Sequence, residues 1–261
     1  MMMQKLWDRY LFPCAVAFVY LFLYTPLIIL VIFSFNNNAL RFNWIGFTTE
    51  WYVALWEKSE IWDALYTSFI VASSTVVLTL IMSALFIFFG NQRFVRSFLI
   101  IFYFNLAIPE IVLGIGLMSL FYFFAVPLGL TTLIAAHTVL GLGYVVPILY
   151  DRYIELDRRY VEASADLGAT NWQTFRLIVL PLLAPALFIS ALLVFIISFD
   201  DFLLSFFCSA GDTQTLPIYI FALIRAGSSP IVSALSTLLL CASSLMVLLF
   251  LSLQIRRGRR L

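Results

Sequence analysis

The residues able to do chemistry in this chain are few, and those that stand within apolar sequence are mostly acidic. Glu110 follows Pro109 inside one long apolar stretch, and Asp200-Asp201 interrupts another, Leu182–Cys208. Ionisable groups at membrane depth are costly and by default face an interior path or pocket. Glu110 lies 13 residues beyond Ser97, and Asp200 lies 15 beyond Pro185. At ~1.5 Å per helical residue both sit roughly 20 Å from one membrane face, so neighbouring spans could bring them into one layer. Carboxylates in such a layer suit a cation, whereas an anion would call for basic groups, hydroxyls or helix N-termini. Each position also has a structural reading. Glu110 can cap a half-helix, its charge satisfied by the dipole, and the Asp pair can end a span at the headgroups. The apolar run Phe202–Cys208 beyond the pair favours the interior reading. Adjacent helical positions point about 100° apart, so one of Asp200 and Asp201 is expected to face the path while the other caps or pairs elsewhere, with Asp200 expected to be the more sensitive to neutralisation.

Other chemistry has little to work with. Lysine occurs only at positions 5 and 58, neither in a Gly-rich phosphate loop, so the chain holds no standard ATP site and no cofactor of its own. The single histidine, His137, lies in an apolar span and reads as a hydrogen-bonded interior residue. Without His-Glu-x-x-His or Gly-x-Ser-x-Gly, catalysis is not expected, and no metal site is either. Cys14, Cys208 and Cys241 are far apart and read as packing residues.

The longest polar interval between two strongly apolar spans carries Glu162-Ala163-Ser164 and runs on to Ile178-Val179-Leu180-Pro181. Residues 158–167 are good helix formers. Gly168 stands where a helix end needs positive φ, and Thr170 with Gln173 has the form of a capping box. Pro181 should mark the next boundary. The prediction is a helix-turn-helix that projects from the membrane as a docking knob.

These groups must be positioned by membrane spans. The chain has 261 residues, of which 63% are hydrophobic and 11% charged, too few charges to clothe a soluble domain of this size. A span needs about 20 apolar residues, and six are predicted. They are Leu11–Phe33 (kinked at Pro26), Trp62–Phe89, Ser97–Ala125 (broken at Pro109), Leu128–Tyr150 (softened by Gly141, Gly143 and Pro147), Leu182–Cys208 and Ile231–Ile255. The first is too long for a signal-peptide core and is read as retained. Trp44, Trp51, Tyr52 and Trp56 suit an interfacial helix, and Leu216–Ala226 reads as re-entrant or interfacial. With the N-terminus inside, the inner segments hold Lys5, Arg9, Arg93, Arg96, Arg152, Arg158, Arg159, Arg176, Arg256, Arg257, Arg259 and Arg260. The outer ones hold only Arg41, Lys58 and Arg225. Positive charge therefore places both termini and the 151–181 loop in the cytoplasm. The terminal arginines read as a headgroup anchor, with no nucleic-acid role. The chain reads as one all-α, polytopic domain over residues 1–261.

Glu162, Ala163, Gly168, Ile178, Leu180 and Pro181 match the cytoplasmic "EAA" loop of ABC importer permeases at its spacing, with Ser164 in place of the second Ala. Tyr24-Thr25-Pro26, Ser34-Phe35-Asn36, Gly46–Tyr52, Pro109-Glu110-Ile111-Val112 and Asp200-Asp201 extend the likeness over nearly the whole chain. It resembles the second permease subunit of bacterial spermidine/putrescine ABC importers, where Asp is common at the position of Glu110. The resemblance implies a type I importer permease fold in the bacterial inner membrane and a heterodimer with a second, homologous permease. It implies a pair of ATPase subunits that bind ATP and Mg and dock on the six matching loop residues. It further implies an extracytoplasmic polyamine-binding protein and a cargo path using Glu110, Asp200 and Asp201. A different cargo for the same machinery, such as iron(III) or thiamine, is the nearest alternative. An ion-coupled carrier is the more distant one.

Overall fold

The computed structural model describes residues 12–38, 43–211, 213–227 and 229–258. Leu11 and the topology charges Lys5, Arg9, Arg41, Arg259 and Arg260 lie outside the described residues. The described chain is helical, and its only β pairing is an isolated bridge between Asn36 and Phe47. The elements in order are α1 (Phe12–Phe33), α2 (Glu50–Glu57), α3 (Ser59–Phe89), α4 (Gln92–Ala107), α5 (Glu110–Phe123), α6 (Leu130–Ile154) and α7 (Arg159–Asp166). There follow α8 (Asn171–Thr174), a π-helical turn (Phe175–Val179), α9 (Leu180–Asp200), α10 (Leu203–Cys208), α11 (Leu216–Arg225) and α12 (Ser229–Gly258).

Among the described residues four helical stretches are long and apolar enough to cross a membrane, and a fifth arises if α4 and α5 count as one bent span. The four are Phe12–Phe33, Ser59–Phe89, Leu130–Ile154 and Asn171–Asp200. The expected sixth span falls in α12, whose described apolar stretch is Pro230–Leu245. The chain divides into two compact units, residues 1–59 with 220–261, and residues 60–219.

In the first unit α12 packs on α1 and α2. Helix α1 buries none of its residues and runs through Pro26 without interruption; a helix apolar all round is one that lipid or other helices must cover. The segment after it is tied locally. The Asn36 side chain accepts from Ile45 N (3.1 Å) and donates to Asn43 O (3.0 Å), Trp51 Nε1 donates to Asn36 O (2.9 Å), and Phe35 stacks on Phe47. Trp44 and Trp56 remain exposed.

In the second unit α6 is the axis, packed against α4, α5, α9 and α10. Gly141 and Gly143 do not soften it, contrary to the sequence expectation. They admit neighbours: a Cβ at Gly141 would lie 2.8 Å from Thr79 Oγ1, and one at Gly143 would lie 2.7 Å from Asn105 Nδ2. Asn105 in turn donates to Val139 O at 2.7 Å, locking α4 to α6. Small residues at a crossing let helix backbones approach closely, which is how helices associate in lipid without a hydrophobic driving force.

Candidate functional site

Two helix breaks build the site, and each has a local cause. Pro109 lacks an N–H and pushes the residue before it out of the helical region; Ile108 is extended at φ −73°, ψ 130°. The expected Ser97–Ala125 span is therefore two helices meeting at 111°, and α5 starts afresh with Glu110 in its first turn. The second break falls at Asp201, which is extended at φ −68°, ψ 125° between α9 and α10. One residue suffices because its carboxylate replaces lost helical partners. It accepts from the backbone N–H of Ser205 at 2.9 Å. The site for an anion at a helix start is thus filled by the chain itself.

The second halves of the two broken helices pack together. A Cβ at Gly114 of α5 would come within 3.0 Å of the Phe207 ring on α10, and the Cys208 thiol points at Gly114 O (3.8 Å). Leu204 and Cys208 join Val71, Leu133, Ala136 and Leu140 in one buried cluster, with Leu113, Leu117 and Phe121 of α5 against it. Thr132 donates to Cys208 O at 3.0 Å, satisfying the far end of α10. Packing of α5 against α10 beyond the breaks holds the breaks near one another.

Of the three predicted acidic residues, Glu110 and Asp200 are exposed, while Asp201 is only 7% exposed. The three therefore do not point into one common space; Asp201 turns inward, as its capping bonds require. Its carboxylate lies 3.5 Å from His137 Nε2. That imidazole, 1% exposed, also touches Ser198 (Nδ1 to Oγ, 2.7 Å) and Ser205 (Nε2 to Oγ, 3.3 Å). Ser198 and Ser205 were not singled out from sequence. The signal was present in the two hydroxyls flanking Asp200-Asp201, but nothing in sequence joins them to a histidine about sixty residues earlier.

The polar loop folds as the predicted hairpin, with one difference at its end. After α7, Gly168 N donates to Ala165 O (2.9 Å) and Ala169 N to Ser164 O (3.0 Å), the crossed pair that closes a helix around a left-handed residue. Gly168 has φ +80° and no atom near the place of its missing Cβ, so the need for glycine there is one of backbone angle alone. The capping box forms, with Thr170 N donating to Gln173 Oε1 (2.8 Å) and Gln173 N to Thr170 Oγ1 (3.3 Å). Pro181 was expected to end the second helix. Instead the helix continues from Asn171 to Asp200 through the π-helical turn Phe175–Val179. The widened turn just ahead of Pro181 makes room for its ring and absorbs its missing N–H.

Glu162, Ala163, Gly168 and Pro181 are exposed, and Ile178 and Leu180 are half-buried against the body. Ser164 does more than stay small: its hydroxyl is 2.8 Å from Thr174 Oγ1, a buried link between the two arms. Phe175 and Val179 pack with Ala84 and Leu183, and Phe175 lies against Phe88, so the hairpin rests on the end of α3. The tip stays bare, with Leu167 88% exposed.

Residues 75–257 match the family described as the binding-protein-dependent transport system inner membrane component. The chain belongs to this family. As a permease of that family it is a transport component rather than an enzyme, and it resides in the inner membrane. It is 35% identical over 236 residues, 88% of each chain, to the spermidine/putrescine transport system permease protein PotC of Escherichia coli (strain K12). It is 34% identical over 231 residues to the putrescine transport system permease protein PotI of the same strain, covering 85% of this chain and 82% of that one. The permease fold is seen in the crystal structure of a bacterial ABC transporter involved in the import of the acidic polysaccharide alginate. That structure has a TM-score of 0.70 at 15% identity, covering 97% of this chain and 96% of that one.

Proposed function

We propose that this permease carries polyamines, spermidine or putrescine, inward as one half of a translocation path. The observation that carries the reading is the pair of exposed carboxylates, Glu110 and Asp200, at two helix breaks held together by α5 and α10. The names of PotC and PotI support the cargo class. The alginate transporter has the same fold and an acidic cargo, so fold does not fix cargo and local charge must. Exposed negative groups at membrane depth attract a chain bearing several ammonium groups, and water or hydrogen bonds satisfy them when the path is empty.

The other wall of the path is supplied by a second, homologous permease, and an extracytoplasmic binding protein delivers the polyamine. The hairpin around Gly168 docks on an ATPase subunit that binds ATP and Mg, with Glu162, Ala163, Gly168, Ile178, Leu180 and Pro181 setting its shape. Exposed Leu167, Trp172 and Tyr160 give that docking surface an apolar face. Both termini and the hairpin lie in the cytoplasm. Reconstituted with its partner subunits in proteoliposomes, the complex is expected to accumulate labelled spermidine or putrescine on addition of ATP. Accumulation of thiamine or iron(III) with no polyamine uptake would overturn the reading.

A further inference from the structure

We infer that His137 is a positioning residue that staples the second helix break from behind, holding Asp201 inward and thereby presenting Asp200 outward. The imidazole contacts both sides of the break, Ser198 in the last turn of α9 and Ser205 in the first turn of α10. Between them lies Asp201, 3.5 Å from the same ring. An α6 side chain thus bridges two half-helices across Asp200-Asp201-Phe202.

Proton bookkeeping selects the arrangement. A carboxylate can only accept, so the ring must present Nε2–H toward Asp201, with Ser205 Oγ at its side. Nδ1 is then the acceptor, and the Ser198 hydroxyl donates to it. Every polar atom of the ring is used in a space from which solvent is excluded. Among the described residues no lysine or arginine lies within ion-pair distance of Asp201, so His137 is the one side chain with an N–H to offer it. Asp200 closes α9, so its direction follows the last turn of that helix, which the Ser198 contact to His137 holds. His137 cannot touch cargo, being buried; it acts only through the residues it holds.

The inference rests on the reading of Asp200 as a cargo-facing group, but the staple itself can be measured without cargo. The experiment uses the full transport complex in lipid nanodiscs, with amide hydrogen exchange read at Leu204 and Ser205 and at buried positions of α3. In His137→Phe, which keeps a ring and removes both nitrogens, exchange at Leu204 and Ser205 is expected to rise about tenfold, with α3 unchanged. In proteoliposomes the same variant is expected to lower polyamine moved per ATP about fivefold while ATP hydrolysis continues. Ser198→Ala and Ser205→Ala should each loosen the break in the parent chain and add little in the His137→Phe background, since they remove parts of one unit. Unchanged exchange at Ser205, or full additivity of the serine and histidine variants, would overturn the staple. Should His137→Phe fail to insert, the two serine variants decide by the same exchange readout. Absence of polyamine uptake by the parent complex would count against the cargo reading alone, leaving the exchange result to stand.

Discussion

Asp200 and Asp201 show how far apart two neighbouring carboxylates can be in role. Asp201 accepts from the Ser205 N–H and is set beside His137, so its loss leaves that buried N–H unpaired and the ring without the carboxylate beside it. Asp201→Ala is expected to cost about 1–3 kcal/mol and to lower the melting temperature of the purified permease together with its uptake. Asp200 and Glu110 are exposed, and Asp200→Asn and Glu110→Gln should leave the melting temperature unchanged. Each should cut initial polyamine uptake about fivefold, the equivalent of ~1 kcal/mol per lost charge. A stability loss in Asp200→Asn equal to that of Asp201→Ala would contradict the division of labour. Sequence named all three acids and allowed that one of the pair would cap. It could not say which, because that depends on the histidine of another helix. Ser164 is a second residue whose partner is remote. Ser164→Ala restores the residue of the EAA pattern but leaves Thr174 with a buried hydroxyl unpaired. It should destabilise the hairpin by about 1 kcal/mol, seen as faster proteolysis of the 159–180 segment.

At the scale of elements, turn chemistry was the most legible part. Gly168, Thr170 and Gln173 encode the hairpin through backbone angle and short-range hydrogen bonds, and all of that is local. Gly168→Val places a β-branched residue at φ +80° and should cost about 1–2 kcal/mol locally. Because no neighbour crowds the site, the damage should be confined to the hairpin. The variant is expected to insert normally, lose transport and co-purify less ATPase. Wild-type transport by Gly168→Val would remove the docking role. Proline was the less legible signal. Pro109 breaks its helix by 111°, Pro26 and Pro147 leave theirs continuous, and Pro181 is absorbed by a π-helical turn. The missing N–H is the same in each case. What differs is whether the surroundings offer a substitute partner or a competing direction, and packing decides that after the sequence has been read.

For the whole molecule, composition established an all-α membrane protein, and the family match agrees with it. The second unit organises itself around α6, whose close contacts depend on two glycines that sequence alone read as weak points. Helix α1 has no fully buried residue, and the carboxylates Glu110 and Asp200 are exposed. The proposed path calls for a second, homologous permease to supply its other wall. Co-expression with one neighbouring permease should yield a 1:1 heterodimer carrying ATPase, while the chain alone should support no uptake. An active complex containing only this permease and ATPase would refute the pairing. Orientation belongs to the same scale: a reporter fused after residue 181 should be cytoplasmic, as the arginines at positions 152, 158, 159 and 176 require.

The link between α6 and the α9–α10 break also bears on how the chain is made. His137 precedes Ser198 by 61 residues and Ser205 by 68, so it leaves the ribosome well before either. A segment bearing adjacent aspartates is a poor substrate for lateral release into lipid, because acidic groups beside apolar sequence oppose insertion. By the time Asp201 emerges, α6 has been synthesised and its ring nitrogens still lack partners. Each of the two segments is thus the other's remedy, and the order of synthesis lets α6 act as an in-chain receptor for the helix that follows. Moving His137 to a position translated after α10 would keep the same residues and lose that waiting partner.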